Sequence, residues 1–369
     1  MRKILFIQPG YAHYRDDLFE ILSQRHNIHF LFEKSKNTYP GNDKPKKIGF
    51  TFIDQKFRNN VMGLIYYLHK FKYDIVISSV SASTRSIIAY IYAIFLHKKF
   101  ILWILEWRKP EYKKNNFKRY IKMFRYWIGK HILIKSHALV VGGTAAYDYA
   151  LSIGKKKEEI FIALQCSKDL RKNIEISPAQ RRTDNTFTFL FLGRIISWKG
   201  LNILIEAFHL LRQKRDDVSL LIAGDGPSRD YCFNLSKSLK ITDIEFIGSV
   251  DPYKTVEIYQ KADVFVLPSY ELDSYYEVWG LTVNEAMSMY LPVITTTRVG
   301  ASYDMVINCY NGFIVQENNV DELYKAMRKI LECDLTQMGV NSRKIFEEKN
   351  NYVNMANGFS DARKYVMKQ

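Results

Sequence analysis

The stretch ADVFVLPSYELDSYYEVWGLTVNEAMSMYLPVITTTR, residues 262–298, predicts the fold of the chain around it. Its first part, 263–267, is a short apolar run closed by Pro-Ser and is typical of a buried strand. Apolar residues at helical spacing follow over 281–289, and Pro292 opens a second apolar run. Strand, loop, helix and strand in this order predict a parallel βαβ unit, which binds ligands beside the carboxyl end of its first strand.

Two carboxylates bracket the loop before this helix. Glu277 precedes the predicted first turn, and Glu285 lies one to two turns inside the helix. First-turn amides have no acceptor within a helix, so they offer an anion site between the two side chains. A ligand with a diphosphate and many hydroxyl groups fits this pair, because carboxylates accept from hydroxyls. The alternative is that both are ordinary N-terminal carboxylates stabilised by the helix dipole.

A second loop offers two cations. The strand predicted over 187–193 ends at Gly193-Arg194, and Lys199-Gly200 precede the next helix. Arginine can bind phosphate oxygens in pairs and lysine acts as a compact charge, so Arg194 and Lys199 predict a clamp for a diphosphate. The alternative is that both are solvated surface residues.

Taken in order, these loops resemble those of the retaining glycosyltransferases of family four, which have the GT-B fold. The features that match are Gly193-Arg194 with Lys199-Gly200, the turn AGDGP at 223–227, and an E-x7-E loop followed by Glu-Ala-Met and Leu-Pro-Val. The match is strong over about 186–331 and weaker in the first half. It implies an α/β protein with two Rossmann-like, doubly wound domains that face a central cleft.

The resemblance also implies roles for single residues. Glu277 would contact hydroxyls of the transferred sugar, and Glu285 would hold the ribose of the nucleotide. Arg194 and Lys199 would stabilise the charge that grows on the leaving diphosphate. The segment whose backbone would contact sugar and phosphate consists of Val278, Trp279, Gly280 and Leu281.

The first half contributes one further predicted site loop. Gly10 and His13 follow the first predicted strand, 3–8, at the edge where open α/β domains bind ligands. The resemblance implies that Gly10 lets the backbone approach the donor phosphates. His13 would contact acceptor or phosphate, or it is a helix-capping or surface histidine.

Two residues depart from the family pattern. Glu106 stands at an edge where many relatives carry a His, and Tyr290 stands where relatives often have Gly. Glu106 is either a group that orients the acceptor or the polar end of a strand.

The predicted elements divide the 369 residues into two domains, which suits a chain of this length. We expect an acceptor-side domain over 1–165, a polar linker over 166–185, a nucleotide-sugar-binding domain over 186–349, and a C-terminal helix over 350–369 that packs on the first domain, as in GT-B relatives. The other strands are predicted at 29–33, 51–54, 74–80, 100–106 and 138–143, then at 218–224, 244–247, 263–267, 293–296 and 312–315, and the segment 161–164 closes the first domain.

Charge, cysteines and apolar runs bear on partners and compartment. The net charge of +16 is compatible with nucleic acid, an anionic membrane or phosphorylated substrates. Four scattered cysteines without CxxC spacing predict a reducing compartment. The longest apolar run, 87–96, is well short of the ~20 residues of a spanning helix, and the N-terminal run is too short for a signal peptide. We therefore expect a cytoplasmic protein, peripheral to the inner face of the membrane.

Residues 108–137 form the most basic stretch, with ten Lys or Arg against one acid. Tyr120, Phe124 and Trp127 fall on one face of a predicted helix there. A basic amphipathic helix suits an anionic membrane surface. The alternative is that the aromatic face packs against the domain while the basic face is solvated. Nucleic acid is not an expected partner, because no known binding module accompanies the charge.

Together these features predict a metal-independent glycosyltransferase without a cofactor, since the sequence has no Asp-x-Asp pair to hold a divalent ion. It would move a sugar from a nucleoside-diphosphate sugar to a glycan or lipid-linked glycan, in surface polysaccharide or glycolipid synthesis. The alternatives are another GT-B enzyme, such as a sugar-nucleotide epimerase or a phosphorylase, and a non-catalytic subunit that binds nucleotide sugar or glycan.

Overall fold

The structure, a computed structural model, describes residues 2–32, 51–52, 61–79, 83–108, 117–171, 186–251 and 254–369. They form two compact units. The first unit contains Met1–Cys166 and Asn351–Gln369, and the second contains Ser167–Asn350. Most of the predicted linker, 172–185, and part of the basic stretch, 109–116, lie outside the described residues.

The first unit is built on seven parallel strands. They are β1 Lys3–Gln8, β2 Asn27–Phe32, β3 Thr51–Phe52, β4 Ile75–Ser78, β5 Lys99–Ile104, β6 Ala138–Val141 and β7 Ile160–Ile162. Their order in the sheet is β3-β2-β1-β4-β5-β6-β7. The helices of this part of the chain are α1 Asp16–Arg25, α2 Val61–Phe71, α3 Thr84–Phe95, α4 Phe117–Lys135 and α5 Thr144–Ser152. The strands are nearly continuous apolar runs because helices cover both faces of such a sheet.

The second unit repeats the alternation with six strands. They are β8 Phe187–Leu192, β9 Val218–Ala223, β10 Ile244–Gly248, β11 Val264–Leu267, β12 Val293–Thr296 and β13 Gly312–Val315. The helices are α6 Leu201–Arg212, α7 Arg229–Ser238, α8 Thr255–Gln260, α9 Leu281–Ser288, α10 Ser302–Met305, α11 Val320–Ile330 and α12 Leu335–Lys349. The sheet order is β10-β9-β8-β11-β12-β13, so the direction of winding reverses between β8 and β11. Open α/β sheets bind ligands at the carboxyl ends of the strands at such a reversal.

The last helix, α13 Tyr352–Lys368, lies in the first unit. It packs beside α1 and against β6 and β7, and it buries Met355, Phe359 and Val366. A Cβ atom on Gly358 would lie 2.3 Å from the carbonyl oxygen of Ile162, so the helix backbone lies directly on β7. Glycine weakens a helix relative to alanine, but here its missing side chain permits this contact.

The predicted fold class, two doubly wound parallel α/β units, is confirmed. In the second unit each predicted strand agrees with the observed one to within one residue at either end. The first unit agrees less well. The strand predicted over 100–106 ends at Ile104, so Glu106 lies beyond the strand.

Candidate active site in the second unit

The predicted cation loop leaves the carboxyl end of β8, at the reversal of the sheet. Arg194 is exposed at its start, and a short 3-10 helix, Ser197–Lys199, follows. Gly200 then begins α6 with a φ of 75°, a left-handed conformation that glycine adopts without strain. A Cβ atom there would lie 2.0 Å from the carbonyl oxygen of Pro268. The cation loop therefore lies directly on the loop that follows β11.

The AGDGP turn after β9 supports the cation loop from its other side. The amide of Gly193 donates to the carbonyl of Ala223 at 3.0 Å, and the amide of Ile195 donates to that of Asp225 at 2.9 Å. These bonds extend the pairing of β8 and β9 beyond the strands, so the turn holds the backbone on both sides of Arg194.

The E-x7-E loop follows β11 and is held by backbone bonds to the segment after β12. The amide of Gly300 donates to the carbonyl of Glu277 at 3.0 Å, and the amide of Ala301 donates to that of Trp279 at 2.8 Å. Gly280 is the N-cap of α9, so Glu277 precedes the helix and Glu285 lies inside it, as the sequence predicts. The segment 278–281 thus forms the entry to the helix.

The two loops meet through side chains and backbone. The Lys199 ammonium forms an ion pair with the Glu277 carboxylate, and the two side chains are only 14% and 12% exposed. The amide of Tyr270 donates to the carbonyl of Trp198 at 2.9 Å. One predicted cation and one predicted carboxylate therefore come together at the reversal of the sheet, with Arg194 exposed on the same loop.

Glu285 has a partner that the sequence does not reveal. The hydroxyl of Tyr259, a fully buried residue of α8, donates to Oε2 of Glu285 at 2.9 Å. Burial raises the pKa of Glu285 to about 7, and the bond from Tyr259 opposes this shift. Burial also raises the pKa of Tyr259, so its hydroxyl stays protonated and can donate. In the sequence, no motif marks Tyr259 as a partner of Glu285.

Asn284, next to Glu285, belongs to a chain of hydrogen bonds. The chain links the site loop to Ser167 and Asn350, the first and last residues of the second unit. Nε1 of Trp279 donates to Oδ1 of Asn284 at 2.8 Å, and Nδ2 of Asn284 donates to Oδ1 of Asn350 at 2.8 Å. Asn350 in turn donates to the carbonyl of Ser167 at 2.9 Å. The side-chain amides of Asn284 and Asn350 hold the indole of Trp279, which lies between Glu277 and Glu285 in the sequence. No sequence motif marks the two asparagines.

Tyr290, where the resemblance implies a glycine, has a backbone conformation that glycine adopts more readily. Its φ is +61°, which costs free energy for a residue with a side chain. The guanidinium groups of Arg171 and Arg343 lie 4.6 and 5.9 Å from the centre of its ring. Such cation–π contacts stabilise the ring and offset part of this cost.

The remaining predicted site residues, Gly10 and His13, lie in the first unit, after β1. Their loop is anchored by Arg15, which donates to Gln8 at 2.9 Å and lies 4.6 Å from the centre of the Trp103 ring. Glu106 is also in the first unit. It is exposed and accepts a bond from the amide of Leu105 at 3.2 Å.

Residues 172–351 match the family model of glycosyl transferases group 1. The match covers nearly all of the second unit, including both site loops. The resemblance to GT-B glycosyltransferases is thus confirmed at this level, whereas family four and a retaining reaction stay predictions.

Two curated relatives and one solved structure show the extent of the similarity. An uncharacterized glycosyltransferase of Methanocaldococcus jannaschii is 25% identical over 77% of this chain and 71% of its own length. CapM of Staphylococcus aureus, a capsular polysaccharide biosynthesis glycosyltransferase, is 29% identical over 45% of this chain, and the chain spans only 43% of its length. HepE of Anabaena, in complex with UDP, is 14% identical with a TM-score of 0.72 over 99% of this chain and 100% of its own, a likeness of fold.

Proposed function

We propose that the protein transfers a sugar from a nucleoside-diphosphate sugar to a glycan or lipid-linked glycan. The observation that carries the proposal is the meeting of the Lys199 loop with the Glu277 loop at the reversal of the second sheet. A cation for phosphate and a carboxylate for sugar hydroxyls are the two groups that such a donor requires side by side.

The relatives support this choice of donor and product. HepE has been solved with UDP and with UDP-glucose. CapM is described as an enzyme of capsular polysaccharide synthesis, and a further structural neighbour, WaaB, is a lipopolysaccharide outer core galactosyltransferase. By analogy, we infer a nucleotide sugar as donor and a surface glycan or its lipid-linked precursor as acceptor.

In the proposed reaction, the bond between the anomeric carbon and the diphosphate breaks as the acceptor hydroxyl oxygen bonds to that carbon on the same face. Because the new bond forms on the face that the diphosphate leaves, the configuration is retained. The acceptor proton passes to the departing phosphate oxygen. Arg194 and Lys199 stabilise the growing charge on the diphosphate, in the role that a metal ion has in other enzymes. Glu277 accepts bonds from sugar hydroxyls, the first amides of α9 bind phosphate, and Glu285 accepts from the ribose.

A thermal-shift screen against nucleoside diphosphates and their sugars tests donor binding. A ligand that binds only the folded chain raises the melting temperature, and the rise grows with the logarithm of ligand concentration divided by Kd. We expect one nucleotide and its sugar to stand out from the panel. A purified sample that binds this donor but neither transfers nor hydrolyses its sugar would be a binding subunit and would refute the proposal.

Substitutions test the loop pair. Lys199→Ala and Glu277→Ala should each lower the transfer rate about 100-fold or more, the usual effect of removing one preorganised charge or donor. Arg194→Ala should act in the same direction. Lys325→Ala, at an exposed position of α11, is the matched control and should leave the rate unchanged. Rates near that of the wild type in all three site variants would rule out these roles.

A further inference from the structure

The aromatic face of α4 is exposed to solvent. Tyr120, Phe124 and Trp127, which share one side of the helix, are 62%, 62% and 64% exposed. The alternative that this face packs against the unit therefore does not match the structure. Large apolar side chains left in water cost free energy, and a contiguous group of them marks a contact surface.

The two preceding helices continue this surface. On α3, Ile91 and Phe95 are 46% and 77% exposed, and on α2, Ile65 and Tyr66 are 44% and 50% exposed. α2 packs beside α3, and the ring of Tyr90 on α3 meets that of His131 on α4 edge to face. Successive right-handed crossovers place these helices on the same face of the sheet. Together the exposed sides of α2, α3 and α4 form one layer, the outer helical face.

The charge of this layer has one sign. The sequences of α2, α3 and α4 contain Lys and Arg but neither Asp nor Glu. By contrast, α1, which packs with α13 on another side of the sheet, contains Asp16, Asp17 and Glu20. Over the whole first unit, Lys and Arg outnumber Asp and Glu by 32 to 13, whereas the second unit has 22 against 25.

We propose that the outer helical face docks on an anionic lipid bilayer. Aromatic and aliphatic side chains mixed with basic ones are what the interface between headgroups and acyl chains binds. Phe95, with most of its ring exposed, is the side chain best placed to insert. Among the described residues, no helix combines the length and hydropathy needed to cross a membrane.

A bilayer fits this face better than a protein partner does. The apolar residues spread over three helices, and the charged residues within these helices are all basic. Protein interfaces with such a charge need an acidic counterpart, while an anionic bilayer supplies negative charge across the whole area. The proposal uses only the first unit and does not depend on sugar transfer by the second.

Vesicle sedimentation tests the proposal on the full chain. We expect binding to phosphatidylcholine vesicles that contain phosphatidylglycerol, little binding to phosphatidylcholine alone, and a loss of binding as salt rises. Phe95→Ser combined with Trp127→Ser removes two exposed rings from the face and should weaken binding about tenfold or more. A tenfold change corresponds to about 1.4 kcal/mol of binding free energy. Tyr231→Ser combined with Tyr275→Ser is the control, because both rings are 61% exposed in the second unit, and it should bind as the wild type does.

A charge variant separates the two contributions. Lys130→Gln combined with Lys135→Gln should weaken binding at low salt and make the remainder less sensitive to salt. Unchanged circular dichroism shows that each variant is folded. The proposal fails if the Phe95 and Trp127 double variant binds like the wild type, or if anionic lipid makes no difference. A third outcome would also refute the proposal: the wild type is a dimer, the Phe95 and Trp127 double variant is a monomer, and neither binds vesicles. That result would assign the face to contact with a second copy of the chain.

Discussion

Glu285 is a carboxyl group of the candidate site whose ionisation the fold opposes. Its pKa is raised from 4.5 to about 7 by burial, so the folded chain holds the proton more tightly than the unfolded chain does. The stabilisation from this proton is complete below pH 4.5 and is lost as the pH rises through 7. The contribution of Glu285 to the free energy of unfolding therefore decreases as the pH rises from 4.5 to about 7.

Glu285→Gln removes this contribution, since glutamine does not ionise. Relative to the wild type, the free energy of unfolding of the variant should rise by roughly 2–3 kcal/mol between pH 4.5 and pH 8, at about 1.36 kcal/mol for each pKa unit. Urea unfolding of both proteins at the two pH values measures this. An equal difference at both values would mean that Glu285 has an ordinary pKa in the folded chain.

The Tyr259 hydroxyl donates to Glu285 at 2.9 Å and, over a longer distance of 3.4 Å, to the carbonyl of Thr282 at the start of α9. Tyr259→Phe removes a bond that favours the carboxylate, so the pKa of Glu285 should rise further. If Glu285 binds ribose as a carboxylate, the affinity for the nucleotide should fall several-fold at pH 7 and recover towards pH 9. Calorimetric titrations across this range test it, with the same substitution in a Glu285→Gln background as control. A loss of affinity that is independent of pH would contradict the prediction.

Spacing reveals some site residues and conceals others. Glu277, Glu285 and Lys199 follow strands or begin helices at recognisable intervals, so the sequence predicts them. Tyr259 lies 26 residues before its partner and shows only the periodicity of a core residue. A hydrogen bond between separate helices leaves no local pattern, and the same is true of Asn284.

At the scale of elements, the end of a strand is predicted correctly where the buried apolar residues and the hydrogen-bonded pairing stop at the same position. In the second unit, β8, β9, β10 and β11 are apolar runs that end at Gly, Pro or Ser, and their ends are predicted well. β5 is different, because apolar residues continue after its last paired residue, Ile104, and Trp107 is still buried. Burial without pairing extends the apolar pattern, so the sequence predicts a strand that is too long.

Gly358 of α13 gives a prediction with an unusual sign. Alanine normally stabilises a helix relative to glycine by about 1 kcal/mol. Here the added Cβ would meet the backbone of Ile162, so Gly358→Ala should destabilise the chain by about 1–3 kcal/mol. Thermal unfolding measures the change, with Asn354→Ala at an exposed position of the same helix as control. A stabilised Gly358→Ala variant would show that α13 does not lie tightly on β7.

At the scale of the whole molecule, the net charge of +16 conceals an uneven distribution. The excess of Lys and Arg lies in the first unit, and the second is slightly acidic. The total is visible in the composition, but its division requires the boundaries of the units, including the return of α13 to the first.

This division predicts that the two proposed ligands protect different segments. With a nucleotide that binds, hydrogen exchange should slow in 193–200 and 277–285 and stay unchanged in α2, α3 and α4. With anionic vesicles the pattern should reverse. Mass spectrometry of exchanged peptides measures both, and phosphatidylcholine vesicles serve as control. Protection of the outer helical face by nucleotide alone would contradict this separation.

The ion pair between Lys199 and Glu277 makes each side chain a competitor for the other's ligand. In the proposed reaction, an incoming diphosphate draws the ammonium away, and the hydroxyls of the attached sugar compensate the released carboxylate. Once the sugar has been transferred, the remaining nucleoside diphosphate has no sugar hydroxyls for Glu277 to bind. The Glu277 carboxylate then re-forms its ion pair with Lys199. If the proposed reaction holds, the pair favours binding of the intact donor over the by-product and promotes release of the nucleoside diphosphate after each turnover.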